Sequence, residues 1–368
     1  MKERIVRNPF TPNFGQVPIY MAGRKFLISE IERAFERGPG DPALSSILVG
    51  PRGTGKTALL SYLASKAEQI DWLSVSVSCL PGMLQDVLEQ VYRKGSEYLD
   101  EPDGKRLSGV TFGQVVAVEW ENQPAPSRNW RSMMTDVLDE LNDKGVGLLI
   151  TIDEVDPSLD EMIQLASVYQ HFVREERVVG LLMAGLPYKV SALLRNKSVS
   201  FLRRASQYHI GRIDDEEIAA AFKSTVEAAD AAISDDALAM AVRSIDGFPF
   251  MMQLVGFRSW EERGQQGEID ARSVEKGVRM ARIDMENRIL RPTLDELSDM
   301  DIEFLQAMLE DDQASSSEDI ATRLGKTTSY ITTYRKRLLE QGIIEMQGRS
   351  KIRIALPGVR EYLPEYLT

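Results

Sequence analysis

Eight residues, Gly50-Pro51-Arg52-Gly53-Thr54-Gly55-Lys56-Thr57, constrain the fold of this chain more than any other stretch. They spell G-x-x-x-x-G-K-T between an apolar run, Ile47-Leu48-Val49, and a helical pattern opening Ala58-Leu59-Leu60. A strand must lead in and a helix must lead out, which is the setting this phosphate-binding loop (Walker A) requires. Its glycines let backbone N–H groups curl around phosphate oxygens, and the helix points its positive end at the same oxygens. Gly50 to Ala58 are therefore expected to hold the phosphates of ATP or ADP. Lys56 would reach the β- and γ-phosphates, and the Thr57 hydroxyl would sit on Mg²⁺. The competing reading is a chance glycine-rich turn.

A second motif argues against chance. Leu148-Leu149-Ile150-Thr151-Ile152 reads as a parallel strand buried on both faces, and Asp153-Glu154 stand at its C-terminal end, where open α/β sheets bind ligands. Asp153 would hold Mg²⁺, and Glu154 (Walker B) would orient and polarise the water attacking the γ-phosphate. An acidic turn after a strand is the plainer alternative. Asp156 reads as turn chemistry ahead of Pro157.

Further strands are expected at 45–49, 73–77, 179–184 and 207–211, with helices between them, as in a βαβ sheet. The chain has 368 residues, enough for two or three domains. Residues 1–212 read as the P-loop core. Within it, 1–22 form a Pro- and aromatic-rich arm that either lies over the core or covers the adenine base with Val17–Tyr20, Tyr20 foremost. Residues 100–130 interrupt the rhythm as an insertion, with Val115–Trp120 resembling a hairpin strand. From Asp214 the patterns are helical, at 216–229, 235–245, 249–263 and 271–290. They make a lid over 213–291, and Arg291-Pro292 begins a boundary.

Residues 292–368 read as a winged helix-turn-helix. Ile302, Leu305, Met308 and Leu309 mark one helix, 317–324 a short second, and a turn at Gly325 leads to a third that ends at Gly342. Strands at 343–346 and 352–356 form the wing. Between Arg323 and Arg353 there are eight basic and two acidic residues, a local charge of +6 on a chain of net charge −12. Such a stripe is a local electrostatic footprint, whereas the net charge argues against a whole-surface nucleic-acid binder. One cysteine, Cys79, excludes an intrachain disulfide, and two histidines without a Cys/His cluster exclude a zinc site. With no apolar signal core at the start and no long apolar run, a cytoplasmic setting away from membranes is expected.

The whole plan resembles the AAA+ ATPases of the Orc1/Cdc6-like branch, which shades into the STAND group of signalling ATPases. The resemblance rests on Gly23-Arg24 ahead of the loop, on Gly50–Thr57, on Asp153-Glu154, and on the helical lid and winged helix. It implies a sheet order 5-1-4-3-2 with nucleotide held between core and lid, near Gly23, Arg24 and Pro249. It also implies an arginine finger just before the fifth strand, where Arg203 and Arg204 stand. A finger acts on a neighbouring copy's nucleotide, so a homo-oligomer would follow; the alternative is a solvated or salt-bridged pair. Two features depart from the family. The fourth strand ends Met183-Ala184-Gly185 without the usual polar sensor. The lid helix that usually donates an arginine begins Gly247-Phe248-Pro249, as in STAND proteins.

Two functions remain open. In one, ATP hydrolysis is coupled to double-stranded DNA. Thr327, Thr328, Ser329, Tyr330 and Thr333 would meet the duplex from the start of the recognition helix, Lys326, Arg335, Lys336 and Arg337 would meet phosphates, and Arg349 and Lys351 would do so from the wing. In the other, a nucleotide switch uses the winged helix structurally or to bind a protein partner.

Overall fold

The computed structural model describes residues 7–13, 15–99, 129–264, 267–348 and 350–367. The expected insertion hairpin and Arg349 lie outside the described residues.

The core alternates as expected. Its elements are α1 (Lys25–Arg37), β1 (Ser45–Val49), α2 (Lys56–Ala67), β2 (Trp72–Ser78), α3 (Met83–Lys94), α4 (Trp130–Asp143), β3 (Gly147–Asp153), α5 (Asp160–Arg174), β4 (Val179–Gly185), α6 (Pro187–Arg195) and β5 (Ser206–His209). All five strands are parallel, in the order β2-β3-β4-β1-β5. Alternation across the sheet divides the core. Leu48, Leu149 and Leu182 pack on α1 and α2, while Ile47, Ile150 and Leu181 pack on α3, α4 and α5. Because β1 lies between β4 and β5, with Val49 opposite both Gly185 and His209, the loop after it emerges between strand ends on either side. β5 stops two residues earlier than expected, since Gly211-Arg212-Ile213 turns away to meet the lid. There Ile213 N donates to Gly247 O (2.8 Å), and Arg212 Nη2 donates to Asp246 (2.8 Å).

The lid comprises α7 (Asp215–Glu227), β6 (Ala232–Ile233), α8 (Asp235–Ile245), α9 (Pro249–Glu261), β7 (Glu268–Ile269) and α10 (Ala271–Met285). The N-terminal arm is anchored here rather than on the core. Phe10 is buried with its ring 4.8 Å from Phe222, and it lies so close to Gly256 that a Cβ there would sit 2.2 Å from the ring. Thr11 N donates to Gln253 Oε1 (2.9 Å).

The expected boundary at Arg291-Pro292 is not an end. A π-helical turn, Glu286–Leu290, carries the helix on into α11 (Arg291–Asp295). Proline lacks an N–H and its ring crowds the carbonyl four residues back. Here the ladder widens instead, with Arg291 N–H bonding Glu286 O.

The C-terminal unit follows as α12 (Asp299–Leu309), β8 (Ser315–Ser316), α13 (Ser317–Leu324), α14 (Thr328–Gln341), β9 (Ile344–Gln347), β10 (Lys351–Ile354) and α15 (Val359–Tyr366). Thr327 caps α14 by accepting from Tyr330 N, and the small sheet runs β8-β10-β9, antiparallel. One apolar cluster runs from Phe10 through the lid to Leu363, so lid and C-terminal unit share a core. The unit also rests on the P-loop face of the core. Gly342 packs against Pro51, Arg52 Nη2 meets Glu296 (2.9 Å), Arg212 meets Glu345 (3.7 Å) and Arg195 meets Glu340 (4.0 Å). Among the described residues no helix is long and apolar enough to cross a membrane.

Candidate nucleotide site

A cavity of about 440 Å³ lies where core, lid and arm meet, within the range of small-molecule sites. Its floor is the loop, Arg52 to Ala58. Asp153, Glu154, Gly185, Tyr188 and Lys189 supply one wall, the arm's Thr11, Asn13, Gly15, Gln16, Pro18, Tyr20, Met21 and Ala22 with Arg24 a second, and the lid's Pro249, Gln253 and Arg288 a third. The structure thus brings together Arg52, Gly53, Thr54, Gly55, Lys56, Thr57, Ala58, Asp153, Glu154, Tyr20, Arg24 and Pro249. Gly50, Pro51 and Gly23 stand behind this lining. Gly23 packs under Ile213, and Pro51 under the C-terminal unit.

The loop geometry follows from its glycines. Gly53 and Gly55 adopt φ of +75° and +83°, the left-handed region that side chains resist. A Cβ on Gly53 would also lie 2.6 Å from Phe248, so the loop seats directly on the lid's Gly247-Phe248-Pro249 corner, where Phe250 N donates to Gly53 O (3.3 Å).

Lys56 Nζ donates to Gly50 O (2.9 Å) and Pro51 O (2.7 Å). Burial pushes its ammonium down to about 8; Asp153 and Glu154 pull it up, while Arg52 presses it further down. Thr57 Oγ1 donates to Asp153 Oδ2 (2.5 Å), and Asp153 Oδ1 accepts from Glu154 N (2.9 Å). Glu154 is exposed at the cavity and holds φ +53°, a strained value of the kind that gathers at functional sites.

A hydroxyl and a carboxylate side by side, at the mouth of a phosphate loop, suit Mg²⁺. This ion takes one or two protein oxygens and fills its octahedron with phosphate and water. Among the described residues no group of three or more acids, histidines or cysteines forms a cage of its own.

The charges around the cavity are unevenly compensated. Lys189 Nζ is held by Asp156 (2.8 Å), whose carboxyl is drawn well below its usual range by Lys189 and by Ser158, and Arg52 is held by Glu296. Asp156 therefore does more than make a turn. Lys56, Arg24 and Arg288, by contrast, donate to backbone carbonyls: Arg24 to Gly23 O and Gly211 O, Arg288 to Pro12 O. Arg288 also makes a long ion pair with Asp284 (3.9 Å), a carboxylate that Arg258 holds more closely (2.8 Å). Two cations satisfied by carbonyls and a third only loosely paired leave the cavity a positive field with room for a polyanion.

Sequence reasoning missed Tyr188, Lys189, Gln253 and Arg288. Lys189 carried a signal, since it begins the helix just past the end of β4, where ligands bind. Arg288 carried none, because helical spacing gives no warning of a π turn.

Arg203 and Arg204 are not at this cavity. Arg203 Nε donates to Leu194 O (2.8 Å), and Arg204 is exposed beside a second cavity of about 290 Å³ that also involves Tyr169 and Arg174.

On α14 the expected duplex-facing residues divide. Lys326, Thr327, Thr328, Ser329, Tyr330, Thr333 and Lys336 are exposed, as is Lys351 on β10. Arg335 and Arg337 are not free cations. Arg337 Nε donates to Asp301 (2.9 Å), a carboxylate only 1% exposed, and Arg335 is half-buried with a bond to Ser317 Oγ (3.2 Å). Asp301 thus takes up Arg337, and Arg323 is likewise taken up by Asp311.

Residues 41–194 match the AAA domain family, and residues 287–363 match a domain of unknown function (DUF8462). No curated protein matches the sequence. Among solved structures, a Walker-type ATPase of Pyrococcus abyssi is similar at TM-score 0.66 and 12% identity, over 94% of this chain and 96% of that one. The Aeropyrum pernix ORC2 protein in its ADP form is similar at TM-score 0.55 and 13% identity, over 96% of both chains. At these identities the likeness is one of fold. Together with the loop, the parallel sheet and the lid, it shows that the core of this chain has an AAA-type P-loop fold.

Proposed function

We propose that this chain binds Mg·ATP in the cavity between core and lid, hydrolyses it, and uses nucleotide state to govern duplex DNA binding by its C-terminal unit. One observation carries the reading. Lys56, Arg24 and Arg288 surround a single cavity beside the Thr57–Asp153–Glu154 cluster, and all three donate to backbone carbonyls.

The loop N–H groups and Lys56 would cradle the phosphates, with Lys56 exchanging two carbonyls for phosphate oxygens. Thr57 and Asp153 would hold Mg²⁺, which neutralises charge developing on the phosphates when bound. Glu154, exposed and fixed by its backbone, would align water for in-line attack and accept its proton. Arg204, exposed and away from its own cavity, would serve a neighbouring copy's nucleotide if the chain assembles.

The C-terminal unit has the element order of a winged helix: helix, strand, two helices across a tight turn, then a hairpin. The start of its α14 presents hydroxyls and Tyr330 to solvent, with Lys326 exposed just before the helix and Lys336 farther along it. Neutralising Lys326 and Lys336 together should weaken binding to any duplex and reduce the salt slope by about two, at roughly 0.9 per phosphate contact. An unchanged slope would move the weight to the second reading, a nucleotide switch. That reading is favoured by the docking of the unit on Pro51 and Arg52, which brings it within reach of the phosphate loop. ATP turnover measured with and without duplex separates the two, because only the coupled ATPase responds to DNA.

A further inference from the structure

The helix that leaves the lid does so through an unusual turn, and that turn faces the cavity. Upstream, α10 buries Val274, Val278, Ala281 and Met285, in helical steps of three and four. The next step at that spacing would bury Arg288 or Ile289. The π-helical turn lengthens the step to five, so that Leu290 is buried and Arg288 and Ile289 line the cavity. Turns of this kind cost hydrogen-bond quality and concentrate at functional sites. Here the effect is specific: an arginine that an unbroken helix would aim at the core lines the cavity whose floor is the phosphate loop.

Its surroundings suit an anion. Arg288 Nη1 donates to Pro12 O (3.0 Å), a neutral acceptor, and its ion pair with Asp284 is long (3.9 Å), that carboxylate being held more closely by Arg258 (2.8 Å). Pro12 belongs to the arm, which three residues later touches the metal-site threonine: a Cβ on Gly15 would sit 3.4 Å from Thr57 Cγ2. Three virtual bonds of chain span at most roughly 11 Å, so the arginine's anchor stands close to the phosphate end of the cavity.

We propose that Arg288 is a phosphate ligand contributed by the last lid helix, presented by the π turn and held by Pro12 O until nucleotide arrives. This rests on the nucleotide reading given above. A phosphate oxygen is a charge-assisted acceptor, roughly twice as strong as a carbonyl, so it would draw Arg288 off the arm and bring α10 toward the loop. The same helix runs on to Glu296, the partner of Arg52, so this movement would be felt where the C-terminal unit rests on the core.

The test uses the full chain and three probes, adenosine, ADP and ATP, titrated by calorimetry into the parent, Arg288→Gln and Arg288→Lys. The proposal expects Arg288→Gln to lose about tenfold or more in affinity for ADP and ATP, as removal of a charge-assisted contact implies. Adenosine affinity should stay within twofold, and Arg288→Lys should regain part of the loss. Equal losses for all three probes would mean that Arg288 only tethers the arm, and no loss would remove it from the site; either overturns the proposal. A parent chain that binds none of the probes refutes the nucleotide reading itself and this proposal with it.

Discussion

Arg337→Met should unfold part of the C-terminal unit rather than merely lower its charge. Asp301 is 1% exposed, belongs to the capping box that starts α12, and accepts from Ser298 N and Oγ as well as from Arg337. Removing the arginine leaves a buried carboxylate without its cation, a change that costs about 3–5 kcal/mol. The lower end applies, because the Arg337 side chain is 44% exposed, so water can enter from that side, and because Ser298 keeps its two bonds. About 3 kcal/mol corresponds to roughly a hundredfold faster exchange of the protected amides of α12 and α14 through subglobal opening, read by native-state hydrogen exchange on the intact chain. Asp301→Asn with Arg337→Met should recover most of that protection, since neither charge is then stranded. If Arg337→Met leaves exchange within twofold of the parent while duplex affinity falls, the arginine belongs to the DNA face and the structural assignment is wrong.

Glu154→Gln should keep Mg·ATP affinity while lowering turnover by about a hundredfold or more, the scale of a lost general base; a single-turnover assay at parental rate would place the base elsewhere. Phe10→Ala should cost about 3–5 kcal/mol of lid stability, because the ring fills the space between Phe222 and Gly256, and should weaken nucleotide binding by loosening the arm. The pH dependence follows from Lys56, whose ammonium sits at about 8 when no phosphate is bound. Phosphate favours the charged form, so ATP affinity should be full below pH 8. It should fall above pH 8, by up to about tenfold per pH unit, until the higher pKa of the complex is reached. At pH 8.5 binding should take up protons, so the measured enthalpy should vary with the ionisation enthalpy of the buffer. A flat profile from pH 7 to 9 would contradict this.

Much of the core was legible because its signals are local. The loop, the apolar run before Asp153 and the turn residues Gly247, Gly325 and Gly342 each act within a few residues, and the strands fell within about two residues of expectation. What escaped reading depends on distant parts of the chain. Phe10 could be assigned to the lid only through Gly256, and Arg337 to Asp301 only through packing of α14 on α12. Arg337 in the run Arg335-Lys336-Arg337 looked like surplus charge because the acid that holds it, Asp301, lies more than thirty residues earlier. The helix through Pro292 was obscured for a different reason: proline signals a stop unless the ladder widens to five, and nothing in local composition announces that. Arg288 was hidden by the same turn.

The central claim is that Gly50–Thr57 holds the phosphates of a nucleotide, and titration of Mg·ATP into the parent and Lys56→Ala by calorimetry tests it most directly. The account predicts saturable binding of one nucleotide per chain to the parent. It predicts an affinity lower by about tenfold or more in the variant, as loss of a charge-assisted contact implies. Equal affinity in the two proteins, or no binding to the parent, would contradict it.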